Sequence, residues 1–157
     1  MSSRLGKFSF LLVVLAALPC HGQNISKQEL QRRIAFADAH FTIPPTSGRA
    51  ASPGTPGSTT DRGKVYIALG PPDQIRDVEF PPNTTAVTLP TQAWTYQAVP
   101  GVGNNVRIEF VDFTFSYDYK MVPPPRDDIE ALRRYELVQK RIQRTLARII
   151  GIRKEGN

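Results

Sequence analysis

Apolar residues recur along this chain in several rhythms, and each rhythm predicts a different element. From Phe8 to Leu18 they run almost unbroken. Leu30, Ile34, Ala37 and Phe41 then form one stripe at helical spacing. Ser26-Lys-Gln-Glu29 has capping-box spacing, which predicts a helix from a Ser26 N-cap to about Phe41. Four turns are too few to stand alone, so this helix must pack on something. Lys64 to Leu69, bounded by Gly63 and Gly70-Pro71-Pro72, reads as a strand; Asp73 then suits a turn or the cap of one short helical turn. Period-two alternation marks Gln92–Gln97 as a second strand and Val106–Asp112 as a third, with Val106, Ile108 and Phe110 on one face. Pro100 to Asn105 is a turn between them, rich in residues that tolerate positive φ. Phe115 to Met121 can pair as a fourth strand, with Phe115, Tyr117 and Tyr119 sharing a face. The short breaks point to an antiparallel meander.

Pro123-Pro124-Pro125 stops the sheet, and Asp127 and Asp128 open a long helix, acidic at its start and basic at its end. Its apolar seam runs through Ile129, Leu132, Tyr135, Val138 or Gln139, Ile142, Leu146 and Ile149, with Gly151 as the natural stop. Arg134, Arg141, Arg144 and Arg148 occupy the other side, as a solvated basic face or a surface that meets a partner. Two Pro-rich stretches interrupt the chain. Residues 42–60 read as an exposed, flexible Pro/Gly/Ser loop, disordered from Ser47 to Pro56, and Pro81-Pro82-Asn83 breaks the path between the first two strands. The predicted fold class is therefore α+β: a short N-terminal helix, a three- or four-stranded mainly antiparallel sheet and a long C-terminal helix.

The first apolar run changes the picture of the whole chain. Arg4 and Lys7 precede about ten apolar residues, and Cys20-His-Gly22 places small residues around a cut before Gln23. This is the pattern of a secretory signal peptide over residues 1–22, and the run is about half the ~20 residues a membrane span needs. The expectation is export to the periplasm or beyond, with no transmembrane span left after cleavage. Pro19 before Cys20 argues against lipid attachment. Removal of the signal takes away the single cysteine and His21, leaving about 135 residues for one domain over 23–125 and a basic helix over 126–157. The net charge of +6 then reduces to +4, all of it carried by residues 126–157. In an exported protein that local excess points to an acidic face of an envelope protein or to an anionic surface, and not to nucleic acid.

Five segments in order resemble a known family. Gln31-Arg-Arg-Ile-Ala-Phe-Ala-Asp38 with Phe41 looks like its first helix. Thr60-Asp61-Arg62-Gly63-Lys-Val-Tyr-Ile67 with Gly70-Pro71-Pro72-Asp73 looks like its core motif. Trp94-Thr-Tyr96, Gly103-Asn104-Asn105 and Ile108-Glu109-Phe-Val-Asp112 follow at the expected spacing. The chain thus resembles the GWxTD domain of exported proteins from Acidobacteria and related bacteria, over roughly residues 28 to 121. It departs where Ser58 follows Gly57 in place of the family's tryptophan, and in its expanded loop. The resemblance implies a compartment and a set of motif residues, but no reaction.

The residues themselves offer little catalytic chemistry. Asp61, Asp73, Glu109 and Asp112 lie near strand ends, where a paired-carboxylate or metal site could form, although Asp61 and Asp73 also suit turns and caps. His40 alone remains after signal removal, which excludes a multi-histidine zinc site and suits a C-terminal dipole partner. No phosphate-binding glycine motif occurs, and no cofactor is implied. Trp94, Tyr96, Phe110, Phe115, Tyr117 and Tyr119 make an aromatic-rich sheet, with Tyr117 and Tyr119 candidates for an exposed face that takes a peptide strand or glycan. The leading expectation is a non-catalytic binding or assembly module of the bacterial envelope. The rival is a hydrolase or metal-dependent enzyme using Asp61, Asp73 and Asp112.

Overall fold

The computed structural model describes residues 25–45, 53–78 and 88–155. The expected signal segment, the middle of the long loop and the Pro81–Asn83 break lie outside the described residues. The fold is α+β. Helix α1 (Lys27–Phe41) and helix α2 (Asp61–Leu69) precede strands β1 (Gln74–Asp77), β2 (Thr91–Val99), β3 (Gly103–Asp112) and β4 (Tyr119–Val122), and helix α3 (Ile129–Glu155) closes the chain. The sheet has the order β1-β2-β3-β4 with every pairing antiparallel; β2–β4 form the expected meander, and β1 is an edge strand that the sequence pattern did not mark.

Helix α1 begins as its sequence dictates: the Ser26 hydroxyl accepts from the Glu29 amide. Glu29 does not reach back to close the capping box; its carboxylate takes Arg33 instead, at 2.8 Å. Leu30 and Ala37 are buried, with Ile34 and Phe41 partly buried beside them.

Residues Lys64–Leu69 are helical and not a strand. Thr60 caps the helix, its hydroxyl accepting from the Gly63 amide at 3.1 Å. The apolar run lacks a helical stripe because α2 is buried on two sides. Val65 and Ala68 enter the main core with the sheet and α3, and Ile67 packs with Leu30 and Ala37 of α1. A helix covered on opposite faces loses the polar stripe that marks an amphipathic one. Asp73 caps no helical turn either, since β1 follows it directly.

Strands β2 and β3 carry the centre of the fold. Trp94, Tyr96, Val106, Ile108 and Phe110 are buried together, joined by Val138 and Ile142 of α3. The C-terminal helix is thus part of the same core as α2 and the sheet. Its start is capped by Asp128, which accepts from the Ala131 amide. The seam runs from Leu132 to Ile149; Ile129 is 77% exposed and lies outside it. Gly151 does not stop α3, which continues to Glu155. A single glycine costs a helix only ~1 kcal/mol, too little to end it without a competing cap.

Strand β4 is shorter than expected. It starts at Tyr119, while Phe115 and Tyr117 adopt positive φ of 54° and 65° in the turn before it. The flanks of the long loop are also built: Ile43 and Thr55 exchange two backbone hydrogen bonds of 2.9 Å, and Gly57–Thr59 forms a 3-10 turn.

Candidate functional site

The motif residues at 60–63 converge on one junction, each for a separate reason. The Thr60 hydroxyl donates to the Gly57 carbonyl while capping α2. Asp61 splits its carboxylate between the Met121 amide of β4 and Lys64. Arg62 lies over the rings of Tyr119, at 4.1 Å, and Phe41, at 5.3 Å, and donates to the Tyr117 carbonyl. Burial lowers its pKa, opposed by nearby Tyr119 and Asp112, and the group stays charged. Gly63 is buried against the backbone of Gly57. Ser58 gives its amide to Asp38.

The second motif ends α2 and starts the sheet. Gly70 takes a φ of +93°, and its amide bonds back to the Tyr66 carbonyl. Pro71 and Pro72 prevent further helix. The Asp73 carboxylate accepts the Gln97 amide at 2.7 Å. Tyr96 donates its hydroxyl to the Gly70 carbonyl from inside the core, and burial pushes its pKa far up. Two arginines from other helices finish the C-terminus of α2: Arg33 donates to the Ile67 carbonyl and Arg141 to that of Ala68. Cations at these carbonyls are favoured by the helix dipole as well as by the bonds.

The remaining candidates separate. Trp94 is fully buried between Phe41 and Phe110, its indole nitrogen donating to Gln92. Asn104 and Asn105 are exposed at the β2–β3 hairpin, with Asn105 at φ 51°. Glu109 pairs with Arg107 across 2.6 Å on the outer face of the sheet. His40 stacks on Phe36 in the last turn of α1, its Nδ1 lying 2.9 Å from the Phe36 carbonyl.

Asp112 organises a strained segment, the turn that holds Phe115 and Tyr117 at positive φ. The residue is 2% exposed, and its carboxylate accepts the amides of Thr114, Ser116 and Tyr117 and the Thr114 hydroxyl. Burial acts to raise its pKa, but these donors outweigh it and hold the group below the usual carboxylate value. The turn so clamped displays Phe113, Phe115 and Tyr117, which are 55, 57 and 69% exposed. Tyr119 does not join them on an open face, because Arg62 covers it.

The structure therefore does not assemble Asp61, Asp73 and Asp112 into one pocket. Each binds backbone amides at a different place, and among the described residues no group of three or more His, Cys, Asp or Glu side chains could hold a metal. Of the four helix arginines, Arg141 points inward, with a second bond to the Pro100 carbonyl, and Arg134 contacts Glu130. Arg144 and Arg148 are exposed. Sequence reasoning missed the aromatic turn; its signal is an aspartate followed by Thr and Ser at short intervals, the composition of a side-chain-supported turn. Comparison with protein-family models, curated proteins and solved structures produced no match to this chain.

Proposed function

We propose that this protein is an exported, non-catalytic binding module of the bacterial cell envelope, of the GWxTD type that its motifs resemble. The observation that carries this reading is the turn after Asp112. Two non-glycine residues at positive φ cost of order 1–3 kcal/mol each, and a buried carboxylate is spent on holding them. What that strain achieves is the display of three large aromatic side chains to solvent on a fixed backbone. Rigid exposed aromatics are the usual anchors of a protein interface. The exposed Arg144 and Arg148 supply the basic surface expected to meet an acidic partner.

The enzyme reading has no comparable support, because each candidate carboxylate is already engaged by the fold. The test is capture of envelope proteins by the purified chain and by a Phe113→Ser/Phe115→Ser/Tyr117→Ser variant. The variant should keep its circular dichroism spectrum and lose specific partners. An identical partner set would remove the aromatic turn from the reading. Removing residues 126–157, the simplest way to probe the basic helix, would also remove Val138 and Ile142 from the core; Arg144→Glu/Arg148→Glu tests that surface without disturbing the fold.

A further inference from the structure

Strand β3 has ten residues, but its two neighbours cover it unequally. Strand β2 pairs with it from Gly103 to Val111, whereas β4 pairs only from Glu109 to Asp112. Among the described residues, nothing pairs with the other side of Gly103–Ile108. The reason lies in the chain that follows β4. Val122 stands opposite Glu109, and the next three residues are prolines, which have no amide to continue the ladder.

Where β4 would have continued there is a groove of about 400 Å³, with β3 on one side and Pro123–Pro125 and the first turns of α3 on the other. Alternate residues of a strand direct their N–H and C=O groups to the same neighbour. These six residues, unpaired on this side, present up to three donors and three acceptors along ~20 Å, with Gly103 (φ 139°) and Asn105 (φ 51°) leaving the extended region toward the hairpin end. Only an extended backbone satisfies such a row.

We propose that this groove binds an extended peptide segment of a partner protein, which adds to the free edge of β3 as a fifth strand. The walls argue for a single strand. Pro123–Pro125 and α3 stand beside the edge, so a folded second copy cannot bring its own sheet edge alongside. The side chains argue for an acidic residue in the segment. Arg107 and Arg134 both line the groove, the Arg107 side chain is 59% exposed, and the register that pairs Glu109 with Val122 leaves the position opposite Arg107 open. Each arginine already has an exposed carboxylate partner, Glu109 at 2.6 Å from Arg107 and Glu130 at 3.4 Å from Arg134. Such exposed pairs contribute little, and Asp128 beside them is engaged in capping α3, so an acidic residue of the segment can share both cations. Tyr135 and Val122 offer apolar contact to the neighbouring residues of the ligand. The inference rests on the reading of the protein as a binding module but uses none of the residues of the aromatic turn.

The probe is a blocked heptapeptide alternating threonine and valine with a central glutamate, titrated into the full chain and followed by amide hydrogen exchange and NMR shifts. Exchange at the groove-facing amides of residues 103–108 should slow about tenfold at saturation, while the alternate amides directed to β2 should not change. A peptide with alternate amides N-methylated should give no protection, and lysine for the central glutamate should weaken binding. Ala131→Trp, which fills the groove, and Arg107→Glu, which reverses its charge, should each weaken binding about tenfold or more. The triple-serine variant of the aromatic turn should bind the peptide normally, so failure of that turn's partner capture leaves this result intact. The proposal is overturned if protection is absent from 103–108 or if the N-methylated peptide binds equally well. It is equally overturned if those amides are protected without peptide in a concentration-dependent way, which would assign the edge to a second copy.

Discussion

Gly63 lies against the carbonyl of Gly57 so closely that a methyl group on Gly63 would stand 1.8 Å from that oxygen. Gly57 is in turn pressed on α1, where an added Cβ would meet the Ala37 carbonyl at 1.9 Å. Backbone meets backbone at both contacts, so no side chain can move aside. Gly63→Ala and Gly57→Ala should each destabilise the fold by about 3 kcal/mol or more, as overpacking against rigid neighbours does. Urea unfolding at 25 °C measures this, and a loss under 1 kcal/mol would contradict the packing described.

Asp112 should set the acid stability of its turn. Its folded pKa is depressed, so its contribution is complete above the unfolded carboxylate value and disappears as pH falls through the lower folded value. Asp112→Asn removes the charge at every pH. The variant should lose about 2 kcal/mol at neutral pH and should differ less from the parent in strong acid. Paired unfolding curves at pH 7 and pH 2.5 decide this; a constant difference would mean the carboxylate charge contributes nothing.

Arg62 acts through its plane as much as its charge. Sandwiched against Tyr119 and Phe41, it holds α2 to β4. Arg62→Lys keeps the charge but loses the flat contact and the fork of donors, and should cost about 1–2 kcal/mol. Thermal unfolding reads this directly, with Lys and Ala variants falling close together if stacking dominates.

Arg141 is a structural cation in spite of its place on the basic helix. It joins α3 to the end of α2 and to the β2–β3 turn through two carbonyls. Arg141→Ala should lower stability by about 1–3 kcal/mol, whereas Arg144→Ala and Arg148→Ala should stay within about 0.5 kcal/mol. Chemical denaturation of the three variants separates the roles.

The fold class and most of the framework were legible in the pattern of residues. Ser26 capped the first helix as its spacing foretold, and the alternation of Val106, Ile108 and Phe110 placed the inner face of β3. Residues 64–69 misled because two partners bury α2, and a short apolar run reads the same whether two-sided burial makes it helix or strand. Thr60 supplies the cap that decides the matter, but Gly63 stands three residues on where a capping box has Glu or Gln, so the helix start carries only half its usual signature. The aromatic turn escaped for a different reason. Phe115, Tyr117 and Tyr119 alternate like a strand, but the first two sit at positive φ in a turn held by four hydrogen bonds to Asp112. Carboxylates that looked like possible chemistry turned out to be ligands for amides, which sequence spacing cannot distinguish.

The arginines at the end of α2 also govern when this domain can become itself. Arg33 reaches Ile67 from 34 residues before it, and Arg141 reaches Ala68 from 73 residues beyond. A nine-residue helix is too short to persist by itself, so α2 waits for both. Because α3 also brings Val138 and Ile142 to the core, a nascent chain that ends at the sheet holds an unfinished centre. A chain cut before α3 should therefore show no cooperative unfolding transition of its own.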